Sequence, residues 1–506
     1  MNTILNRFIL ATTFSLLVIS TSFLGLAQSD LPILKAGTAK TIITNKKPRI
    51  MTNGRLSTGV LKDIYARVLV LNDGLRRLVI ITYDLNCLDV ATPILRARLA
   101  QEMGIEPEYL ILLATHNHNG PIQIIPENFD YGRWLADTLV ELVQEAIQKE
   151  EGPIRLHFGS GPGYFITASG NAPVDYEIQV LRVTMAGNPV ALLFNQGTHP
   201  LQASLDKIGP GHPGYAMDML ENSLPGIQAM YANASGGNQY PRIRALLQRE
   251  LDQEKNKGIE YANRMLSKHT KALARKLADA VLEILNGSMQ DVTGPLKSRL
   301  EVLSLPLGPP VSESKAQALA EGYPDGLGLV PYPNKHRETN WVRELLYWYE
   351  KGLPFPTTTT EMVATDDTYI WLKSDQEMLD LYQGSIHKTS PCVFEEVLVA
   401  QIGPMPLIAM QGEICAPIGM RIKDAFRHEM PIMVFGYMGE HNLYIPTREL
   451  VRLKAYQAQV IQIQYGSPVG WSPEVEDEMV SGVIQLVNSS LDRPRISLNV
   501  RTGQKK

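Results

Sequence analysis

Cysteine is scarce: only Cys87, Cys392 and Cys415 occur in 506 residues. Three cysteines cannot staple a chain of this length, and their odd number leaves at least one thiol free. No Cys-x-x-Cys pair occurs, which excludes a zinc finger, and buried apolar packing is the role the three fit. A charge excess is missing as well. Lys and Arg number 48 against 52 Asp and Glu, a net charge of -4, so there is no footprint for nucleic acid and no basic patch for an anionic membrane surface. No internal repeat, low-complexity run or obvious linker interrupts the text. What is present is 44% hydrophobic residues, enough for a substantial core, and a single domain over 28–506 is expected.

The first thirty residues differ in kind. Arg7 precedes the apolar stretch Phe8 to Ile19, and the small residues of Gly25-Leu26-Ala27 stand before Gln28. This reads as a signal peptide over 1–27 and predicts a secreted or periplasmic protein. A transmembrane anchor is the competing reading, weakened by the short span and by Thr12, Thr13 and Ser15. No cysteine follows to support a lipoprotein. No integral membrane segment is expected after signal removal, and the text is silent on oligomeric state.

Along the remaining chain, strand patterns and helix patterns alternate. Arg67 to Leu71 and Leu78 to Thr82 flank Asn72-Asp73-Gly74, a hairpin-closing turn. Pro93 to Met103 and Trp134 to Lys149 carry apolar residues at helical spacing. Glu177 to Val183 and Val190 to Phe194 form a second strand pair around Ala186-Gly187-Asn188-Pro189. A charged helical insertion, read as a solvated pair, occupies 243–290. Residues 306–360 are irregular, with an aromatic-rich helix around Trp341 and Trp348 that serves as a lid or packs on the core. Strands return at Glu395 to Gln401, Pro406 to Met410 and Ile432 to Phe435. The pattern predicts an α/β protein with mixed, largely antiparallel sheets and flanking helices rather than a doubly wound parallel sheet.

Chemistry concentrates in Leu112-Leu113-Ala114-Thr115-His116-Asn117-His118-Asn119-Gly120-Pro121. If the apolar strand continues through this stretch, His116 and His118 share a face, because side chains alternate with period two. One could then hold a metal while the other faces its open side; two surface histidines at a strand end are the alternative. Two further strand ends answer them. Val190 to Phe194 runs into Gly197-Thr198-His199-Pro200, and Pro406 to Met410 runs into Gly412-Glu413. His116, His199 and Glu413 thus each sit where an apolar strand stops at Gly or Pro. Strand ends gathered at one sheet edge would assemble two imidazoles and a carboxylate, a set that catalytic zinc uses with a position left for water.

Ala114 to Pro121 resembles the Ala-Thr-His-Thr-His-Ser-Gly-Pro signature of the neutral/alkaline (non-lysosomal) ceramidases. Val174-Asp175-Tyr176-Glu177 to Val183, Gly197 to Pro200, Pro213-Gly214-Tyr215-Ala216, Gly412-Glu413 and Gly436-Tyr437 through Thr447 follow in the family's order. The similarity runs from about Ala36 to Leu486. It implies a fold like the neutral ceramidase catalytic domain and a zinc site held by His116, His199, Glu413 and the phenol of Tyr444. His118 would stand beside the metal, either as a hydrogen-bonding or proton-transfer group or as one that only orients a ligand. Departures accompany the likeness. Where the family has Gly-Asp-x-Ser-Pro-Asn, this chain has Gly237-Asn238-Gln239-Tyr240-Pro241-Arg242, so no serine nucleophile carries over. Ser235 reads as a turn residue, and His212, where the family has an Asp, reads as a plain surface histidine.

The resemblance implies an exported zinc-dependent hydrolase that cleaves an amide bond of an N-acylated substrate through metal-bound hydroxide. Tyr444 and the zinc would stabilise the oxyanion. Ceramide or another N-acyl lipid is one expectation, and a shorter N-acylated compound is another. The alternative is a non-catalytic or altered-specificity zinc-binding relative whose changed loop at Asn238 to Arg242 has closed or redirected the chemistry.

Overall fold

The computed structural model describes residues 33–123, 126–310, 392–439, 444–460 and 469–491, with short pieces at 312–314, 317–318 and 349–350. The expected signal peptide and the aromatic-rich helix around Trp341 lie outside the described residues.

Turn chemistry fixes the first sheet. Strand β1 (Lys35–Ile42) pairs antiparallel with β2 (Tyr65–Asn72), which returns through Gly74 (φ 86°) as β3 (Arg77–Tyr83). Helix α1 (Ala91–Met103) ends on Gly104, whose left-handed backbone (φ 64°) lets its N–H cap the carbonyls of Leu99 and Ala100. The chain then runs into β4 (Leu110–Ala114), parallel to β3, and on to α2 (Phe129–Gln148).

The second sheet repeats this plan. Strand β5 (Ile154–Pro162), a short β6 (Ile166–Ala168), β7 (Glu177–Met185) and β8 (Asn188–Gln196) lead to α3 (Gly211–Ser223) and β9 (Gln228–Asn233). The β7–β8 loop is Ala186-Gly187 with φ of 49° and 82°, the two positive-φ positions that a two-residue hairpin of right-handed twist requires. β8 pairs antiparallel with β7 and parallel with β9. β10 (Gln239–Pro241) pairs with β6, and α4 (Ile243–Gln253) and α5 (Ile259–Asn286) follow.

In the third sheet, β12 (Leu296–Pro310), which follows the two-residue β11 (Gln290–Asp291), pairs antiparallel with β13 (Cys392–Ile402). That strand pairs in turn with β14 (Met405–Met410). After β15 (Glu413–Ile414) and α6 (Ala416–Phe426), β16 (Met433–Phe435) lies parallel to β14. β17 (Tyr444–Ile445), β18 (Val469–Trp471) and α7 (Val475–Ser490) complete the described chain. Each sheet therefore closes on a strand–helix–parallel strand step: β3-α1-β4, β8-α3-β9 and β14-α6-β16. The repeat is one of topology, and it left no trace in the letters because any apolar residue satisfies a buried strand position.

Period-two alternation explains how the sheets assemble. Val68, Val70, Val79 and Ile81 face α1 and α2, whereas Leu69, Leu71, Leu78 and Ile80 face a central core. Leu181, Leu193 and Met230 of the second sheet and Leu398, Leu407 and Phe435 of the third meet in that same core. Helices α3 and α5 cover the far face of the second sheet, and α6 and α7 that of the third. The second half of the charged segment is thus a core helix rather than a solvated one: Ala274, Leu277 and Val281 of α5 are buried against Val180 and Phe194. With the three sheets sharing one core, the carboxyl ends of β4, β8 and β14 converge.

Candidate metal centre

Strand β4 does not continue through the histidines. It ends at Ala114, and His116 adopts a left-handed backbone (φ 58°), a conformation that costs a residue bearing a Cβ roughly 1–2 kcal/mol. Neighbouring asparagines hold the turn. Asn117 Nδ2 donates to the carbonyls of Asp84 (2.8 Å) and Gly209 (2.9 Å), while its Oδ1 accepts the Asn119 N–H (3.0 Å). Asn119 Nδ2 donates to the carbonyls of Ser204 (2.9 Å) and Lys207 (2.8 Å). Convergence of the two rings is therefore a product of the turn, not of the pleat. Their Nε2 atoms stand 3.1 Å apart, and His118 is the one of the pair that keeps contact with solvent.

His199 follows β8. Its Nδ1 faces the carbonyls of Gln239 (3.1 Å) and Gly236 (3.2 Å); carbonyls only accept, so Nδ1 carries the proton and the Nε2 lone pair points inward. Glu413 and Tyr444 are brought side by side by the parallel pairing of β15 with β17, in which these two residues are register partners. Glu413 Oε2 lies 3.3 Å from His116 Nε2 and 3.2 Å from His199 Nε2, and Tyr444 Oη lies 2.9 Å from His199 Nε2. A glycine makes the close approach possible. A Cβ on Gly237 would stand 2.4 Å from the Glu413 carbonyl oxygen, so the loop between β9 and β10 passes against β15 only without one.

The donor atoms fit one metal ion. Ligands bound at about 2.0–2.1 Å in a tetrahedron are separated by about 3.3 Å; the separations here run from 2.9 to 3.3 Å. The nitrogens of His116, His118 and His199 all lie within 4.8 Å of one another. Electrostatics agree with the geometry. Burial lowers the His116 imidazole against the pull of Glu413, and drives His118 well below the ordinary histidine value. Burial alone would raise Glu413, but the facing His116 and His199 outweigh it and hold the carboxyl well below the usual range. Neutral His116 and His118 beside an ionised Glu413 are the protonation state a cation requires.

All five sequence-derived residues, His116, His118, His199, Glu413 and Tyr444, meet at this point. Tyr437 joins them without having been assigned a role from the sequence. Its ring lies 4.4 Å from that of His116, its backbone is left-handed (φ 57°), and its buried hydroxyl has no hydrogen-bond partner among the described residues. The only signal was the Gly436-Tyr437 pair directly after the apolar β16. Ser235 stands apart: it is buried, and its Oγ presses on α6, where a Cβ on Gly419 would stand 2.3 Å from it. Asn238 Oδ1 accepts the Ala416 N–H (2.8 Å) at the start of α6, a capping contact. Tyr240 Oη hydrogen-bonds Ser169 Oγ. His212 is not on the surface. It is fully buried, its Nδ1 accepts the Leu201 N–H (3.0 Å), and burial pushes its pKa down to about 3.

No family model matches the chain, and no curated protein matches it. Solved structures do. One is described as neutral ceramidase from Pseudomonas aeruginosa, with a TM-score of 0.63, 19% identity, and coverage of 93% of this chain and 76% of that one. Another, described as ceramidase complexed with C2, gives a TM-score of 0.63 at 19% identity over 92% and 77% of the two chains. The chain therefore has a neutral-ceramidase-like fold, with a three-histidine cluster able to hold a metal at the meeting point of its sheets.

Proposed function

We propose that this protein is an exported zinc-dependent hydrolase that cleaves the amide bond of an N-acylated substrate. One observation carries the reading: histidines that follow strands of the first two sheets and the Glu413 and Tyr444 donors of the β15–β17 pair close on a single point at metal-ligand spacing, within a fold shared with ceramidases. His116, His199, Glu413 and Tyr444 would hold the zinc. When bound, zinc lowers the pKa of its water from about 15.7 toward 7 and polarises a carbonyl.

The chain's own groups do the rest. His118 Nε2, on the solvent side of the cluster, takes the proton of the attacking water and passes it to the leaving nitrogen, which cannot depart as a bare amide anion. Tyr444, held at the zinc, would stand beside the carbonyl oxygen where charge develops and help to stabilise it. The Gln239 and Gly236 carbonyls keep His199 in one tautomer, and Tyr437 packs the ring of His116 in place. No serine nucleophile is needed, which agrees with Tyr240 at the family's serine position and with the orientation of Ser235.

Export rests on the N-terminal stretch of the sequence. The replaced loop at Asn238 to Arg242 supports a second reading, a relative with closed or altered specificity, since Asn238 is engaged in capping α6. Elemental analysis of the purified protein, followed by turnover of a panel of N-acyl lipids and shorter N-acyl compounds, separates the two. About one zinc per chain with hydrolysis of at least one amide is the expected result. A metal-free native protein would refute the proposal, and zinc without any turnover would favour the second reading.

A further inference from the structure

The β10–α4 segment places two arginines near the centre, and they differ in what surrounds them. Arg242 is engaged: Nε donates to the Ile166 carbonyl (2.8 Å) and a terminal nitrogen donates to Tyr176 Oη (2.9 Å). Arg244 is exposed, with its guanidinium 5.3 Å from the centroid of the Tyr240 ring, and no carboxylate pairs with it among the described residues. Tyr240 in turn is tied through Ser169 to Gln457, whose Nε2 donates to Ser169 Oγ (3.4 Å). The neighbouring Tyr456 stands edge-on to Tyr444 at 6.2 Å between centroids, and Tyr444 touches His199. A continuous polar and aromatic wall thus leads from the Arg244 guanidinium to the donor cluster.

Resting on the hydrolase reading, we infer that Arg244 is the specificity group of the site and that the substrate is an anionic N-acyl compound. Its carboxylate, close to the scissile amide, would dock on the guanidinium above Tyr240. A guanidinium presents a planar fork of donors that matches a carboxylate, and an aromatic ring beneath it limits the orientations it must give up on binding. The nearest acidic group of the centre, Glu413, is buried among the histidines and points away from this role. An N-acyl amino acid has the required chemistry, whereas ceramide, which is neutral, offers Arg244 nothing to pair with.

The test compares N-dodecanoylglycine with N-dodecanoylethanolamine, which differ only in a carboxylate against a hydroxymethyl group, on the full-length zinc-loaded protein. Wild-type kcat/KM should favour the glycine conjugate about tenfold, the scale of one charge-assisted hydrogen bond. Arg244→Ala should bring the ratio close to one and Arg244→Glu should reverse it, both at wild-type zinc content. Calorimetric binding of N-dodecanoylglycine supplies a readout independent of turnover: wild type should bind more tightly than Arg244→Ala, with the margin shrinking at 1 M salt, where the Debye length is only about 3 Å. Equal hydrolysis of the pair by wild type, or a ratio unchanged in Arg244→Glu, would overturn the assignment and leave the hydrolase reading intact. Loss of turnover for both substrates with Arg244-dependent binding retained would overturn the hydrolase reading and keep the anion site. Absence of both would overturn both.

Discussion

Asn117 offers the sharpest probe of how the histidine turn is held. Replacing it by Ala removes three buried hydrogen bonds, those to the Asp84 and Gly209 carbonyls and the one accepted from the Asn119 N–H. At a net 0.5–1.5 kcal/mol each, with their backbone partners stranded away from water, the cost is about 2–4 kcal/mol. The left-handed backbone of His116 adds about 1–2 kcal/mol of strain that the remaining contacts must then contain. The turn should relax toward ordinary φ, swinging the His116 and His118 nitrogens off their common point. We therefore expect Asn117→Ala to lower the denaturation midpoint and to weaken zinc about 10- to 100-fold, the scale seen when groups that orient ligands are lost. Competition with a fluorescent chelator measures the second quantity, and urea denaturation of the chelator-stripped protein measures the first. Because Asn117 does not face the cluster, a purely structural role in the core would move the midpoint alone. Unchanged zinc affinity in a destabilised variant would refute the claim that this side chain positions the ligands.

Three other outcomes follow from the same geometry. Zinc at 1,000 times its dissociation constant should stabilise the protein by about 4.1 kcal/mol, read as a shift in thermal midpoint that His116→Ala combined with His199→Ala abolishes; an equal shift in the double variant would place the metal elsewhere. Ser235→Ala should keep kcat/KM within about twofold of wild type, because its Oγ presses on α6 rather than facing the histidines; a loss of three orders of magnitude would restore a serine nucleophile. Tyr437→Phe should leave stability unchanged or raised by up to about 1 kcal/mol, since it deletes a buried hydroxyl without a partner among the described residues; a loss above about 2 kcal/mol in calorimetry would show that the hydroxyl is engaged.

The parts of this fold that were readable in the letters are those set by local rules. Asn72-Asp73-Gly74 and Ala186-Gly187 announced their hairpins because few residues accept positive φ. His116, His199 and Glu413 could be picked out because each ends an apolar strand. What stayed hidden depends on tertiary context. Whether β4 runs through His116 is decided by Asn117 reaching Asp84 and Gly209, residues remote in sequence. His212 read as a surface residue because its burial is imposed by the loop at Leu201, and α5 read as solvated because its charged face is longer than its apolar stripe. Tyr437 carried no ligand pattern, since an aromatic ring that packs a ligand needs no fixed spacing.

The topological repeat gives the centre its logic. Each strand–helix–parallel strand step ends two strands at the same edge of its sheet, and the shared core of Leu69, Leu193 and Leu407 turns those three edges toward one point. The histidine pair follows β4 of the first sheet, His199 follows β8 of the second, and Glu413 lies on β15, which follows β14 of the third and pairs with β17 in a separate two-stranded sheet. No single sheet can hold a metal, so the cluster exists only when all three are docked, and metal affinity becomes a measure of that docking. A core substitution far from the donors should accordingly weaken the metal. Leu193→Ala leaves every ligand intact, yet at about 2–5 kcal/mol for a fully buried leucine it should lower zinc affinity wherever sheet docking and ligand geometry are one equilibrium. If Leu193→Ala lost stability but bound zinc as wild type does, the centre would be preformed within fewer sheets than the topology requires.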